Sequence, residues 1–365
     1  MIRQRQHRFH RAALAALAVL GGIAAAAPKA SPNAAAGDPA LAFIDNLPIY
    51  QPGQRVSGTV VLWGHGSFKH DFMGSLVKRW MSGLSKTQPG IALDFRMYGT
   101  ASAISALFTG AGNLAILGEE ITPSAERAFE RARGYPPTRI DVATGSLATN
   151  FFDYAHMIFV HKDNPLEHLT LAQLDAVFGA EHRRGERNIR SWGELGLKGP
   201  WEHASIQPYG WKVDEDFALF FREAVLQNSH RWNNAIKEFE HVIRADGTQY
   251  DRAQQILDAL AKDPRGIAIS NVRYQNPGVK TVALSREASG RFIEASNATL
   301  ISQEYPLVRI IPAYVDKPLG GRVEPAVREF LRYVLSREGQ RALIEESGYL
   351  PLGPRVISAQ LEKLE

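Results

Sequence analysis

"GTVVLWGHGSFKHDFMGSLVKRW", residues 58–80, carries an apolar strand pattern through a small-residue loop into an amphipathic helix. Val60, Val61 and Leu62 form the apolar run, Gly64-His65-Gly66-Ser67 interrupts it, and Phe72, Leu76, Val77 and Trp80 then recur at helical spacing. Such a passage brings backbone N–H groups and a hydroxyl to the start of a helix, where an anion can bind. It is also an ordinary way to begin a helix, with Ser67 as a cap.

The same alternation continues outward. Strand patterns fall at 58–64, 91–98 ("IALDFRMY", with Ile91, Leu93, Phe95 and Met97 alternating), 113–118 and 156–161. Helical patterns fall at 70–84, 102–109, 122–133, 170–178, 216–227, 250–262 and 324–346. Strands alternating with helices of this length predict an α/β fold with largely parallel sheets. Three loops in the first half share one design: Gly64 to Phe68, Tyr98 to Ser102, and Gly118-Glu119-Glu120. Ligands of open α/β sheets collect at the carboxyl ends of strands, so these loops form a candidate site. Ser67, Thr100 and Ser102 serve equally well as helix caps, each worth about 1 kcal/mol.

The 365 residues suggest two lobes of ordinary size. Arg3, Arg5, Arg8 and Arg11 precede an Ala-rich apolar stretch from Ala12 to Ala27, the pattern of a cleaved export signal over 1–27. Four of the 42 basic residues lie in that signal, leaving 38 against 38 acidic ones. A balanced mature chain gives no reason to expect nucleic acid as a partner. The absence of cysteine excludes a lipoprotein anchor, disulfides and thiolate metal sites. A periplasmic, monomeric protein is expected, with a Pro/Ala/Gly-rich leader over 28–56 that stays mobile or wraps the surface.

Three further stretches carry a resemblance. "HKDNPLEHLTLAQLDAVFGAEHRRGERNIRSWGELG" (161–196), "YPLVRIIPAYVDKP" (305–318) and "FLRYVLSREGQRALIEESGYLPL" (330–352) resemble, in order and spacing, the periplasmic phosphate-binding proteins of ABC uptake systems. "DPRGIAIS" (263–270) resembles another segment of that family. The resemblance implies a two-lobed type II periplasmic binding fold that traps its ligand by hinge closure, with lobe 1 built from 57–150 plus 276–365 and lobe 2 from 151–275. It implies an ABC permease as partner, a small phosphate-like anion as ligand, no cofactor, and binding without catalysis.

The resemblance also assigns roles. Ser67 and Phe68 match the family's hydroxyl-Phe pair, and Gly99, Thr100 and Ser102 match its second loop in position and hydroxyl content. Glu119 stands where the family accepts the proton of hydrogen phosphate, with Glu120 beside it. In the second lobe the chain departs from the family. Tyr209 stands at an arginine position, Val213-Asp214-Glu215 stand at Ser-Gly-Thr, and Lys212 is the nearby cation. The acidic residues 214–216 also suit the first turn of a helix, and Tyr209 and Trp211 suit packing as well as ligand contact.

Other chemistry finds no pattern. "GHGS" is not the nucleophile elbow, and His65 with His70 lacks a third metal ligand. No phosphate-binding P-loop or dinucleotide fingerprint is present. Two functions remain: capture of phosphate or a related oxyanion for transport, or an envelope sensor or partner that keeps the fold with a neutral, cationic or no ligand.

Overall fold

The computed structural model describes residues 38–65, 72–147, 155–214 and 216–365. The expected signal and the first part of the leader lie outside them. The chain opens with β1 (Gly58–Gly64), α1 (Phe72–Leu84), β2 (Ile91–Arg96), α2 (Thr100–Thr109), β3 (Leu114–Ile116), α3 (Pro123–Arg133) and β4 (Thr138–Thr144). It then passes through β5 (Met157–His161), β6 (His168–Thr170), α4 (Leu171–Phe178), β7 (Gln207–Trp211), α5 (Asp216–Ala224), β8 (Lys237–Phe239), β9 (Val242–Ile243) and β10 (Gln249–Tyr250). Next come α6 (Arg252–Leu260), β11 (Gly266–Ser270), β12 (Val279–Thr281), β13 (Ala283–Ser285) and α7 (Asn297–Ile301). It closes with β14 (Ile310–Val315), α8 (Pro325–Val334), α9 (Arg337–Ser347) and α10 (Pro354–Lys363).

Among the described residues two five-stranded sheets form, ordered β2-β1-β3-β14-β4 and β12-β5-β11-β7-β8. In the first, β1, β2 and β3 run parallel while β14 is antiparallel to both neighbours. Alternation along its strands sends Val60, Leu62, Leu114 and Ile116 into a core under α1, α8 and α9. Ala115, Leu117 and Tyr314 face the opposite layer, which Ile104 and Leu107 of α2 and Phe129 of α3 complete. Each buried Val, Leu, Ile or Phe among them contributes about 1.5–3 kcal/mol by leaving water. The second sheet has its own core, running from Ala155 to Val308 and including Leu350.

That core relocates the expected return crossing. Residues 276–308 do not join the first lobe: β12 pairs with β5, β13 pairs with β6, and Leu300, Tyr305 and Leu307 are buried in the second core. The strand pattern at 279–285 is too short to stand out in sequence, and its placement comes from pairing with distant partners. The chain returns at 308–310, where Arg309 O accepts from Gly145 N (2.9 Å) beside the outgoing crossing.

Of the two expectations for the leader, mobile or wrapped on the surface, its described part takes the second. Asp38 caps a short 3-10 turn over Pro39–Asn46, accepting from Ala40 N (2.8 Å) and from Asn297 Nδ2 (2.6 Å) of the second lobe. Leu41 and Phe43 pack against both cores. Ile44, Leu47 and Tyr50 are buried in the first, where Leu47 O accepts from Arg337 Nε (2.9 Å). The segment is therefore a strap across both lobes. The helix expected over 324–346 is two helices, because Ser336 caps a new start by accepting from Gly339 N.

Candidate functional site between the two sheets

Parallel β1, β2 and β3 bring their carboxyl ends to one rim, and hydrogen bonds join the loops that leave them. Gly99 N donates to Gly64 O (3.1 Å), His65 N to Ile116 O (2.7 Å), and Gly118 N to Thr100 Oγ1 (3.0 Å). Gly99 precedes α2 with φ +89°, a conformation that favours glycine. Gly118 is required for a different reason, since a Cβ there would stand 2.1 Å from the His65 ring. His65 is in turn 2.8 Å, Nε2 to Oη, from Tyr349 of the C-terminal segment.

The strand antiparallel to β3 begins at the same rim. Arg309, one residue before β14, is 2% exposed and donates to Glu120 through Nη2 (2.9 Å) and Nε (3.3 Å). Its Nη2 also lies 3.4 Å from Gly118 O. Glu119 is half-buried between Gly118 and Glu120.

In the second sheet β7 and β11 end, and β5 begins, at one rim, because Met157 pairs with Ser270 and the parallel register sets Trp211 level with it. His156 there is fully buried, with its ring 4.5 Å from Trp211 and 4.8 Å from Phe220 of α5. Burial, reinforced by Arg309 and Arg252, holds its pKa well below the usual imidazole value. Phe220 spans the gap, its ring 5.7 Å from the Arg309 guanidinium. Glu223, one turn on, has its carboxyl pushed up to about 7 by burial and by Glu120. The two rims therefore meet where Phe220 packs against both His156 and Arg309.

A family model described as a PBP superfamily domain matches residues 70–338. The phosphate-binding protein PstS of Pseudomonas aeruginosa is 30% identical over 328 residues, covering 89% of this chain and 93% of that protein. The chain belongs to the periplasmic phosphate-binding protein family. Protein SphX of Synechococcus elongatus is 22% identical over 209 residues, 56% of each chain. The crystal structure of PstS from Borrelia burgdorferi superposes with a TM-score of 0.54 at 13% identity, covering 81% of this chain and 100% of that one. An ABC-type phosphate transport receptor from Vibrio cholerae gives 0.50 at 14% identity, over 80% and 99%. At these identities the likeness speaks for the fold, the two-lobed type II binding architecture.

Within this phosphate-binding protein family fold, the sequence-predicted residues divide. Gly99, Thr100, Ser102 and Glu119 come together at the first rim. Ser67 and Phe68 lie outside the described residues, as does Glu215. Ser102 Oγ donates to Gly99 O (2.8 Å), within its own loop. Lys212 follows β7 at the second rim but pairs with Glu240 (2.8 Å) and is 40% exposed. Tyr209 sits lower in β7, buried, and donates to Asp263 Oδ2 (2.8 Å), which precedes β11, away from the rim. Residue alternation explains this: Tyr209 lies two places before Trp211, where the strand is still inside its sheet.

Sequence reasoning passed over Arg309, His156 and Phe220 as site residues. A signal for Arg309 was available, since it interrupts an otherwise apolar run in "YPLVRIIPAYV". Phe220 carried none, being one apolar residue among several in α5.

Proposed function

We propose that this protein is a periplasmic solute-binding protein that captures phosphate, or a closely similar small oxyanion, and presents it to an ABC transporter permease. The observation that carries the reading is the joined rim of β1, β2 and β3, with the N-terminus of α2 among its loops. Helix starts offer unpaired N–H groups and a positive dipole end to an anion.

The hydroxyls differ in what they can offer. Thr100 Oγ1 already accepts from Gly118 N, which leaves its proton to donate to a ligand. The Ser102 proton is committed to Gly99 O, so that hydroxyl presents lone pairs and belongs to the loop's own structure. Glu119 is the group to accept the proton of hydrogen phosphate, since an ionised carboxylate rewards a protonated oxyanion and repels a fully ionised one. Ser67 is the second donor. Capture then needs no reaction: the lobes close, water leaves, and hydrogen bonds to the anion strengthen.

Calorimetric titration with phosphate and sulfate tests this. Phosphate should bind below millimolar concentration and sulfate more weakly, whereas no binding of either at 1 mM would remove the oxyanion reading. A second reading, an envelope sensor with a neutral or cationic ligand, draws on the second rim, where Lys212 is neutralised by Glu240 and the exposed Asp214 follows. A panel of neutral and cationic solutes in the same titration distinguishes it.

A further inference from the structure

Neighbouring side chains of the C-terminal segment enter different cores. Tyr349 and Leu352 are buried in the first, and Leu350 between them is buried in the second. The backbone of Leu350 is held on the outgoing crossing, where Thr144 N donates to Leu350 O and Leu350 N to Thr144 O, each at 2.9 Å. Thr144 in turn pairs with Ile310 at the return crossing. Gln340 of α9 anchors the same segment to the first lobe, accepting from Leu352 N (2.9 Å) and donating to Val142 O (3.1 Å). Leu350 is therefore a side chain of the second core carried on backbone of the first lobe, at the strands about which the lobes would turn.

We propose that the hydrogen bond between His65 and Tyr349 couples the anion-binding loops to this hinge, both being positioning residues that make lobe closure respond to the ligand. The inference rests on the oxyanion reading above. At one end, His65 belongs to the loop that leaves β1, two residues before Ser67, and its N–H donates to Ile116 O (2.7 Å) at the end of β3. Its ring lies so close to Gly118 that a Cβ there would stand 2.1 Å away, and Gly118 N donates to Thr100 Oγ1 (3.0 Å). One imidazole thus touches the loops after β1 and β3 and, through a single further bond, the start of α2.

At the other end, Tyr349 is 1% exposed and its Oη lies 2.8 Å from His65 Nε2. Its chain neighbour is Leu350. A close-packed ring has no void to yield into, so a turn of the second lobe against Leu350 is felt at the Tyr349 hydroxyl, and a shift of the loops is felt at Leu350. A ligand moves such an equilibrium only through what it binds differently in the two arrangements, and this bond ties that difference to the hinge.

A bond that merely fastens the C-terminal segment would look the same at rest. It would lower the melting temperature when lost and leave ligand binding alone. Tyr349→Phe removes the hydroxyl and keeps the ring in its core, and His65→Phe keeps a ring against Gly118 without its nitrogens. In calorimetric titration with inorganic phosphate each should weaken binding about three- to tenfold, the scale of one hydrogen bond. The double variant should lose no more than the weaker-binding single, because both act through one contact. His65→Gln, whose amide keeps a donor and an acceptor, should recover most of the loss. The decrease in scattering radius on adding phosphate should be smaller in both single variants than in wild type. Variants that melt lower yet bind and compact as wild type does would make the bond a fastening only and overturn the inference, as would affinity losses that add in the double variant. Wild type that binds neither phosphate nor sulfate at millimolar concentration would overturn the oxyanion reading and the coupling with it, so failure of that reading shows in wild type and failure of the coupling alone shows in the variants.

Discussion

The imidazole of His156 packs 4.5 Å from the indole of Trp211, at the start of β5 and the end of β7, with no exposed surface. Burial first, then Arg309 and Arg252, keep it neutral, and Phe220 closes its remaining side. In the unfolded chain the same group protonates near pH 6.5. Its folded pKa is depressed, so the unfolded state binds the extra proton below that value. The stability it contributes is complete above pH 6.5 and falls on acidification, by at most about 1.4 kcal/mol per pH unit. Glu223 acts with the opposite sign: its folded pKa is raised to about 7, so its contribution is present at low pH and lost as pH rises toward 7. Urea unfolding at pH 5.0 and 7.5 should show a smaller acid loss in His156→Gln and a larger one in Glu223→Gln. Equal slopes in all three proteins would contradict the assignment.

Thr100 and Ser102, two residues apart on α2, should separate cleanly. Ser102→Ala removes one hydrogen bond to Gly99 O and should cost about 1 kcal/mol of stability with phosphate affinity unchanged. Thr100→Ala should lower affinity as well, and Glu119→Gln should narrow the preference for phosphate over sulfate. Denaturation and calorimetry on the same samples check all three.

Gly118 is constrained by a ring and not by its backbone angle. Gly118→Ala sets a methyl 2.1 Å from His65, which is itself bonded to Tyr349, so the ring cannot simply turn away. A destabilisation of about 1–3 kcal/mol is expected. His65→Ala should relieve it in the double variant, measurable as a positive coupling in a thermodynamic cycle.

The strap predicts a conformational effect. Asn297→Ala removes the 2.6 Å bond from the second lobe to Asp38 while leaving Leu47 and Tyr50 in the first core. Without ligand, small-angle scattering should then report a larger radius than wild type, and saturating phosphate should remove the difference. Identical radii in the free proteins would show that the strap does not hold the lobes together.

The α/β class was readable in the sequence from the alternation of strand and helix periodicities, and the two lobes from chain length and the family resemblance. β1 spans the 58–64 expected of it, and Leu76, Val77 and Trp80 of α1 are buried together as their spacing predicts. The failures share a cause. Ser336 ends one helix and caps the next within a single residue, with no Gly or Pro between them to mark the break in sequence. β12 and β13 exist by pairing with β5 and β6, more than a hundred residues away. Residues 38–56 have a composition suited to mobility, yet Ile44 and Leu47 find a core that only the folded chain provides. At the site, glycine and hydroxyl loops were visible as local patterns. Arg309 meets Glu120 across 189 positions, a relationship fixed by sheet order.

The return of the chain at 308–310 gives the two lobes different histories. The second is drawn mostly from one continuous stretch, 155–308, so that most of its core can assemble once that stretch has been made, with Leu350 added from the C-terminal segment. The first needs β14, α8 and α9 from the far end of the polypeptide before β3 gains its neighbour and the strap its docking surface. Its β1-to-β3 half, with exposed strand edges, therefore waits while two hundred residues are added. A chain in that condition depends on holding its first third apart from other chains until its last helices arrive, and truncation before β14 should leave a largely formed second lobe attached to an unfinished first one.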